Sequence, residues 1–400
     1  MHEGKVNRQE KPATLWNRSF IIVFLTGVCT GMSSYMVTPL ISKYALSLGA
    51  ALPLAGTVAS IMSIAALICR PFSGAVSDRT NRKALMIVST LLAALTIGAS
   101  ALTDNIAMLI VIRAIHGVAF SFMTVANMAL ASSLIPEHML GRGMGYLGLS
   151  SIFASAVGPG FGMYLSENFG FTACFLLAMT FMLVGGAFMF AIPYRQQQRS
   201  VPEERHPIRL SNLFAGELTG YMLILALFSC GNGLISTYIA LIGDERGISS
   251  IGLFFTAYSI VVVAIRPFVG SLLDRKGLSI ILIPSLVVAA TGMVLIGAAS
   301  ALWMVVLAGA LKALGQGSGS PSIQAHSIKA LGKERAGVAS STCFIGQDIG
   351  NGVAPIVGGL VATNFGYSTM FYGYAFILVV IGILTYVLQR VFEKKKRTAV

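Results

Sequence analysis

Apolar residues recur along this chain in runs of about twenty that avoid charge, separated by short stretches where polar and charged residues gather. The runs fall near 19–41, 52–76, 84–102, 106–132, 143–165 and 170–193, then near 214–241, 250–272, 278–300, 302–327, 336–362 and 367–390. About twenty residues at 1.5 Å each cross a hydrocarbon core of about 30 Å as an α-helix. The runs are too long for lipid-facing barrel strands and lack their alternation. The pattern therefore predicts an all-α integral membrane protein with twelve transmembrane helices. Its many glycines fit that reading, because small residues let membrane helices pack closely.

Composition sharpens the exclusion. Of 400 residues, 55% are hydrophobic and 11% charged, about half the charged share of a soluble domain. That rules out a soluble enzyme, a disordered chain and a nucleic-acid binder, although the net charge is +13. The five cysteines, Cys29, Cys69, Cys174, Cys230 and Cys343, all fall inside apolar runs. None has the spacing of a metal site or a disulfide framework, so they read as small hydrophobes in helix packing. No metal and no cofactor is expected. The first run is too long for a signal peptide and should remain as the first span.

Lys and Arg set the orientation. One set of loops collects Lys5, Arg8, Lys11, Arg18, Arg79, Arg82, Lys83, Arg142, Arg195, Arg199, Arg275, Lys276, Lys329, Lys333 and the Lys394–Arg397 run. The other set offers only Lys43 and Arg246. Both termini are therefore expected in the cytoplasm, with the basic loops facing anionic headgroups. The hydrophilic stretch at mid-chain divides the protein. The expected layout is a cytoplasmic segment 1–18, a bundle 19–193, a linker 194–213, a bundle 214–390 and a basic tail 391–400.

The two halves repeat one another. Arg70-Pro71-Phe72-x-Gly74-x-x-x-Asp78-Arg79 returns as Arg266-Pro267-Phe268-x-Gly270-x-x-x-Asp274-Arg275, 196 residues later. At the same offset of 196, Gly158-Pro159-x-x-Gly162 meets Ala354-Pro355-x-x-Gly358, and Asn168-Phe169-Gly170-Phe171 meets Asn364-Phe365-Gly366-Tyr367. Three motifs in one register imply parallel, pseudo-symmetric six-helix halves related by an axis along the membrane normal.

With its twelve runs and the loop Gly74-Ala75-Val76-Ser77-Asp78-Arg79-Thr80-Asn81-Arg82-Lys83, the chain resembles the major facilitator superfamily. That loop is similar to the signature G-x-L-a-D-r-x-G-r-[rk], with Val76 and Asn81 as departures. The copy from Gly270 to Gly277 keeps Gly270, Asp274 and Arg275 but loses the terminal basic pair. On physical grounds Gly74 lets helices approach and Asp78 can face a helix N-terminus. Arg79, Arg82 and Lys83 can meet acidic groups or lipid phosphates. Contacts of this kind, made in one state and broken in another, would form a conformational latch.

Ionisable residues at bilayer depth each need a reason. Arg70 and Arg266 lie two turns from the basic loops and read as snorkelling or carbonyl-binding groups. Arg113, followed at four residues by Gly117, matches a position that the resemblance associates with proton coupling. Lys312 occupies the corresponding place in the tenth run. Asp348, between Gln347 and Asn351, is the clearest mid-span carboxylate. Apolar surroundings disfavour a carboxylate's charge and a nearby cation restores it, so Asp348 is the leading proton carrier, with a permanent ion pair or a helix-packing hydrogen bond as the competing reading. Glu217, near the start of the seventh run, is a further coupling candidate at interfacial depth. His116, Asn127, Asn232, Gln316, Gln324, His326 and Asn351 are candidates for cavity polarity.

The fifth run carries Gly145-x8-Ala154-x3-Gly158-Pro159-x-x-Gly162-Met163. This resembles the antiporter signature of drug exporters, with Ala154 and Met163 in place of glycines. The resemblance implies export of a drug, dye or metabolite against an inward proton gradient, through a transporter that works as a monomer in a bacterial plasma membrane. The partners are then a small solute, protons and the bilayer. An importer of sugars or metabolites on the same fold is the alternative. A channel or a membrane enzyme fits less well, since no convergent catalytic set is visible.

Overall fold

The computed structural model describes residues 16–135, 140–192, 215–331 and 336–398. The mid-chain linker and most of the first segment lie outside the described residues, as do the side chains of Gly74, Asp78, Arg79, Gly145 and Asp274. The described residues are almost entirely helical: α1 Arg18–Val37, α2 Ile41–Ser47, α3 Leu52–Arg79, α4 Arg82–Ala101, α5 Ile106–Leu134 and α6 Leu140–Phe190. After a short 3₁₀ turn come α7 Thr219–Arg246, α8 Leu253–Lys276, α9 Leu278–Gly297, α10 Leu302–Leu331 and α11 Ala336–Thr398.

Local chemistry sets the boundaries. The side chains of Asn17, Asn81 and Asn105 accept backbone N–H bonds at the starts of α1, α4 and α5, satisfying donors that the first turn leaves open. The run at 19–41 is α1 up to Val37 and then a turn, and the short α2 lies almost wholly beyond the run. Pro39 sits in the turn between α1 and α2, and its missing N–H and fixed ring interrupt the ladder. The runs on either side of Gly170 follow one another without a loop: α6 is two helices joined at that glycine, whose backbone is not helical. In the same way α11 is two helices joined at Gly366, the second continuing past the twelfth run to Thr398.

Among the described residues eight stretches are long and apolar enough to cross a membrane, and two of these, 45 and 54 residues long, each hold two helices joined at a bend. Large apolar side chains such as Leu95, Val111, Ile260, Phe376 and Leu384 point outward. In water so much exposed apolar surface would aggregate; facing lipid it is the solvated side.

The packing is duplicated. In the first half α1 lies on α6, α3 on α5, and α4 on α5 and α6. In the second, α7 lies on α11, α8 on α10, and α9 on α10 and α11. The halves meet through α3 against α11 and, as the symmetric partner of that contact, α6 against α8. The bends match as well: Gly170 has φ 83°, ψ 166° and Gly366 has φ 79°, ψ 165°. Four residues before each aligned asparagine a carbonyl accepts from its amide, Asn168 to Tyr164 O and Asn364 to Leu360 O, both at 2.8 Å. The sequence repeat is thus a structural one.

Candidate functional site

The end of the molecule holding the α3–α4 loop and the start of α1 is the basic end. Here Arg82 donates to Ala129 O at 3.1 Å, near the last turn of α5. Lys83 Nζ donates to Phe190 O at 3.2 Å and Ile192 O at 2.7 Å, where α6 ends. Cations on terminal carbonyls complement the negative end of a helix, so two residues of the signature loop tie neighbouring helices within their own half. Gly270 is exposed and Arg275 lies in the last turn of α8.

At the opposite end the halves touch. Ser42 Oγ donates to Thr237 O at 2.5 Å, and Lys43 Nζ pairs with Asp244 at 2.8 Å. Within the second half, Tyr238 on α7 donates its hydroxyl proton to Pro355 O on α11. Thr256 Oγ1 donates to Ala156 O at 2.7 Å, and the hydroxyls of Ser155 and Ser259 lie 3.0 Å apart.

Between these two ends lies a cavity of about 500 Å³, walled by both halves. Arg113 enters it from α5, Lys312 from α10, and Asp348 and Asn351 from α11. Asn127, Asn232 and Pro159 also face it. Lys312 Nζ donates to Asn232 Oδ1 and sits 5.1 Å from the ring centre of Tyr258, within cation–π range. Arg113 and Lys312 are each 4% exposed, and Arg113 Nε is buried without a hydrogen-bond partner. Asn127 Oδ1 is likewise unpartnered.

Asp348 is held from the other half. Arg70 Nε lies 2.5 Å from Asp348 Oδ2 and Arg70 Nη2 lies 3.2 Å from Oδ1. The guanidinium also stands 5.7 Å from the ring centre of Phe344. The snorkelling or carbonyl-binding role expected of Arg70 is therefore not what the structure has. A carboxylate at matching depth on α11 is a better partner than a distant headgroup. Counting turns from the basic end of each helix could have found it: at 1.5 Å per residue both side chains lie roughly 15 Å in. Tyr35, Tyr258 and the Ser155–Ser259 bridge also face or flank the cavity, and nothing in their sequence context marks them.

Other sequence candidates lie elsewhere. His116 is buried, with Nδ1 3.1 Å from Thr96 Oγ1. His326 Nε2 is 3.2 Å from the Tyr221 hydroxyl, and it shares a second cavity at the basic end with Glu217, Lys329 and Arg390. Gln316 is buried one turn beyond Lys312, and Gln324 is partly buried; neither lines the central cavity. The stripe of small residues on α6 faces α1. A Cβ on Gly158 would meet Tyr35 Cβ at 2.8 Å, one on Gly162 would meet Met36 O at 2.5 Å, and Ala154 lies opposite Gly31. Helix packing accounts for those three residues, while Pro159 turns toward the cavity.

Comparison with known proteins places this geometry. The chain is 26% identical over 373 residues to the multidrug resistance protein MdtG of Enterobacter lignolyticus, covering 89% of this chain and 88% of that one. It is 26% identical over 378 residues to the multi-drug resistance efflux pump PmrA of Streptococcus pneumoniae, covering 89% and 92%. Among solved structures it resembles a POT family transporter in complex with 5-aminolevulinic acid, with a TM-score of 0.76 at 14% identity, covering 93% of this chain and 96% of that one. It also resembles the nucleoside transporter NupG, with a TM-score of 0.73 at 12% identity, covering 91% and 100%. At such identities the likeness concerns the fold. The family model for the Major Facilitator Superfamily matches residues 23–249 and again 221–400, so from its duplicated bundles to its shared central cavity this chain belongs to the Major Facilitator Superfamily of transporters.

Proposed function

We propose that this transporter exports small organic solutes in exchange for protons, by alternating access, across a bacterial plasma membrane that it spans twelve times with both termini in the cytoplasm. The observation carrying the reading is the cavity between two pseudo-symmetric halves, with a carboxylate on its wall that pairs across the half boundary. The basic loops support the orientation, and the helix pairs joined at Gly170 and Gly366 supply the additional crossings. Relatives named for multidrug efflux favour export over import.

Asp348 carries the proton in this mechanism. Its carboxylate faces Arg70, and the same cavity holds Arg113, Lys312, Tyr35 and Tyr258. While the cavity is open to the outside, Asp348 takes a proton from outer water and solute leaves. Neutral Asp348 no longer holds Arg70, so α3 and α11 loosen and the halves part at the basic end. The proton then passes to cytoplasmic water, solute enters, and the restored ion pair closes that end. The contacts Ser42–Thr237, Lys43–Asp244 and Thr256–Ala156 close the other. The signature loop acts as the latch of this exchange, with Arg82 and Lys83 keeping one half rigid while it tilts.

Everted membrane vesicles test the reading. A lumen-acid gradient should drive solute into them, and a protonophore should stop it. Uptake indifferent to the gradient overturns proton exchange, and accumulation in right-side-out vesicles driven by outside acid marks an importer.

A further inference from the structure

The charge on the cavity wall specifies more than a generic solute. Three side chains of charged type line it, Arg113, Lys312 and Asp348, and the one carboxylate is already taken by Arg70. Among the described residues neither Arg113 nor Lys312 meets a carboxylate. Lys312 has the neutral amide of Asn232 and the Tyr258 ring, and Arg113 Nε has nothing. Two cations, one on each half, are thus more than nine-tenths buried with their charge uncompensated. Buried charge is costly unless paired and hydrogen-bonded. A site that keeps two such groups at its centre is built to receive the missing counter-charge from its ligand.

From this we infer that the central cavity recognises organic anions, solutes with a carboxylate on an aromatic or otherwise apolar body. The guanidinium of Arg113 matches a carboxylate's planar pair of oxygens, and Lys312 adds a point charge from the other wall. Phe120, Phe255 and Tyr258 supply apolar and aromatic wall for the body. About 500 Å³ is the size of a pocket for a drug-sized solute. A cationic solute would meet two fixed like charges in a medium that screens them poorly, and the single carboxylate is not free to offset them. Because the two cations belong to opposite halves, an anion held by both draws the halves together, which couples loading to closure.

The inference deepens the export reading, since it names the class of solute, but its test needs no proton gradient. Purified protein in lipid nanodiscs is titrated with three fluorescent probes of one body: dansyl-glycine, its methyl ester, and a dansyl amide bearing a trimethylammonium group. Fluorescence anisotropy should show dansyl-glycine binding roughly tenfold tighter than either analogue, the scale of one charge-assisted hydrogen bond. Arg113→Gln and Lys312→Gln should each remove most of that preference while leaving the ester's affinity unchanged, and Arg113→Lys should keep part of it. Equal binding of the three probes to the unaltered protein overturns the inference whether or not the variants fold. So does an anion preference that survives both glutamine substitutions. Gradient-driven export in vesicles without anion preference would leave the transport reading intact and sink this one; anion binding without gradient-driven movement would do the reverse.

Discussion

Arg70 and Asp348 stand 278 residues apart in the chain and form a two-pronged ion pair, Nε to Oδ2 at 2.5 Å and Nη2 to Oδ1 at 3.2 Å. The pair joins α3 of one half to α11 of the other, on the cavity wall. Its side chains keep 21% and 12% of their surface exposed, so water screens it and the full dry-interior attraction does not apply. A double-mutant cycle of Arg70→Gln and Asp348→Asn should return a coupling of roughly 0.5–3 kcal/mol in denaturant unfolding of the detergent-solubilised protein. In everted vesicles Asp348→Asn should abolish gradient-driven uptake at normal expression. Wild-type pH dependence in that variant would remove Asp348 from the coupling step.

The two glycine bends offer a matched pair of backbone tests. Gly170 and Gly366 hold φ near +80° with extended ψ, a region open essentially to glycine alone, and a Cβ at either would meet no described atom within 4 Å. Gly170→Ala and Gly366→Ala should therefore each cost about 1–3 kcal/mol through backbone strain alone, by similar amounts. Thermal unfolding of the two variants reads this directly, and a neutral substitution at either bend contradicts the assigned geometry.

Contact between α6 and the start of α8 is asymmetric at the level of single atoms. A Cβ on Gly252 would lie 2.7 Å from Gly160 Cα, where only backbone could give way, whereas a Cβ on Gly160 would lie 3.9 Å from its nearest neighbour. Gly252→Ala should push the halves apart at the end opposite the basic loops, and about 1–3 kcal/mol of overpacking shifts the population roughly tenfold. Ser63→Cys, a cavity position, reports the opening by its labelling rate with an impermeant thiol reagent, in a background whose five native cysteines are replaced by alanine. The rate should rise with Gly252→Ala and stay within about twofold with Gly160→Ala. Equal rates in both would show that this approach does not hold the gate.

Lys43 and Arg246, the two cations of the sparsely charged end, should differ sharply in consequence. Lys43 pairs with an Asp244 side chain that is 51% exposed, and such surface pairs contribute at most about 1 kcal/mol. Arg246 donates to Ile296 O, Gly297 O and Ala299 O at 2.7–3.0 Å and to Ser368 Oγ at 3.0 Å, capping the C-terminus of α9 against α11. Arg246→Gln should cost about 2 kcal/mol or more, since several half-buried carbonyls lose a charged donor, while Lys43→Gln should change the melting temperature little. The comparison fails if the two variants melt alike.

What the chain declares by itself follows from rules that act locally. Twenty-residue apolar runs, basic loops and a 196-residue repeat each express physics confined to a helix or to its ends, which is why the fold class, the bundle symmetry and the alignment of Gly170 with Gly366 were legible, though not the bends these glycines make. The end of α1 just before Pro39 went unread, although a residue without a backbone donor marks it. Pairing across the halves was not legible either. Arg70 read as a lone membrane cation because its counter-charge arrives from 278 residues away, and His116 and Asp348 look equally buried in sequence although one packs against Thr96 and the other lines the cavity. Which face of a helix meets lipid, neighbour or cavity depends on rotation and tilt. Those angles come from many packing contacts summed over both bundles, so only the assembled structure decides them.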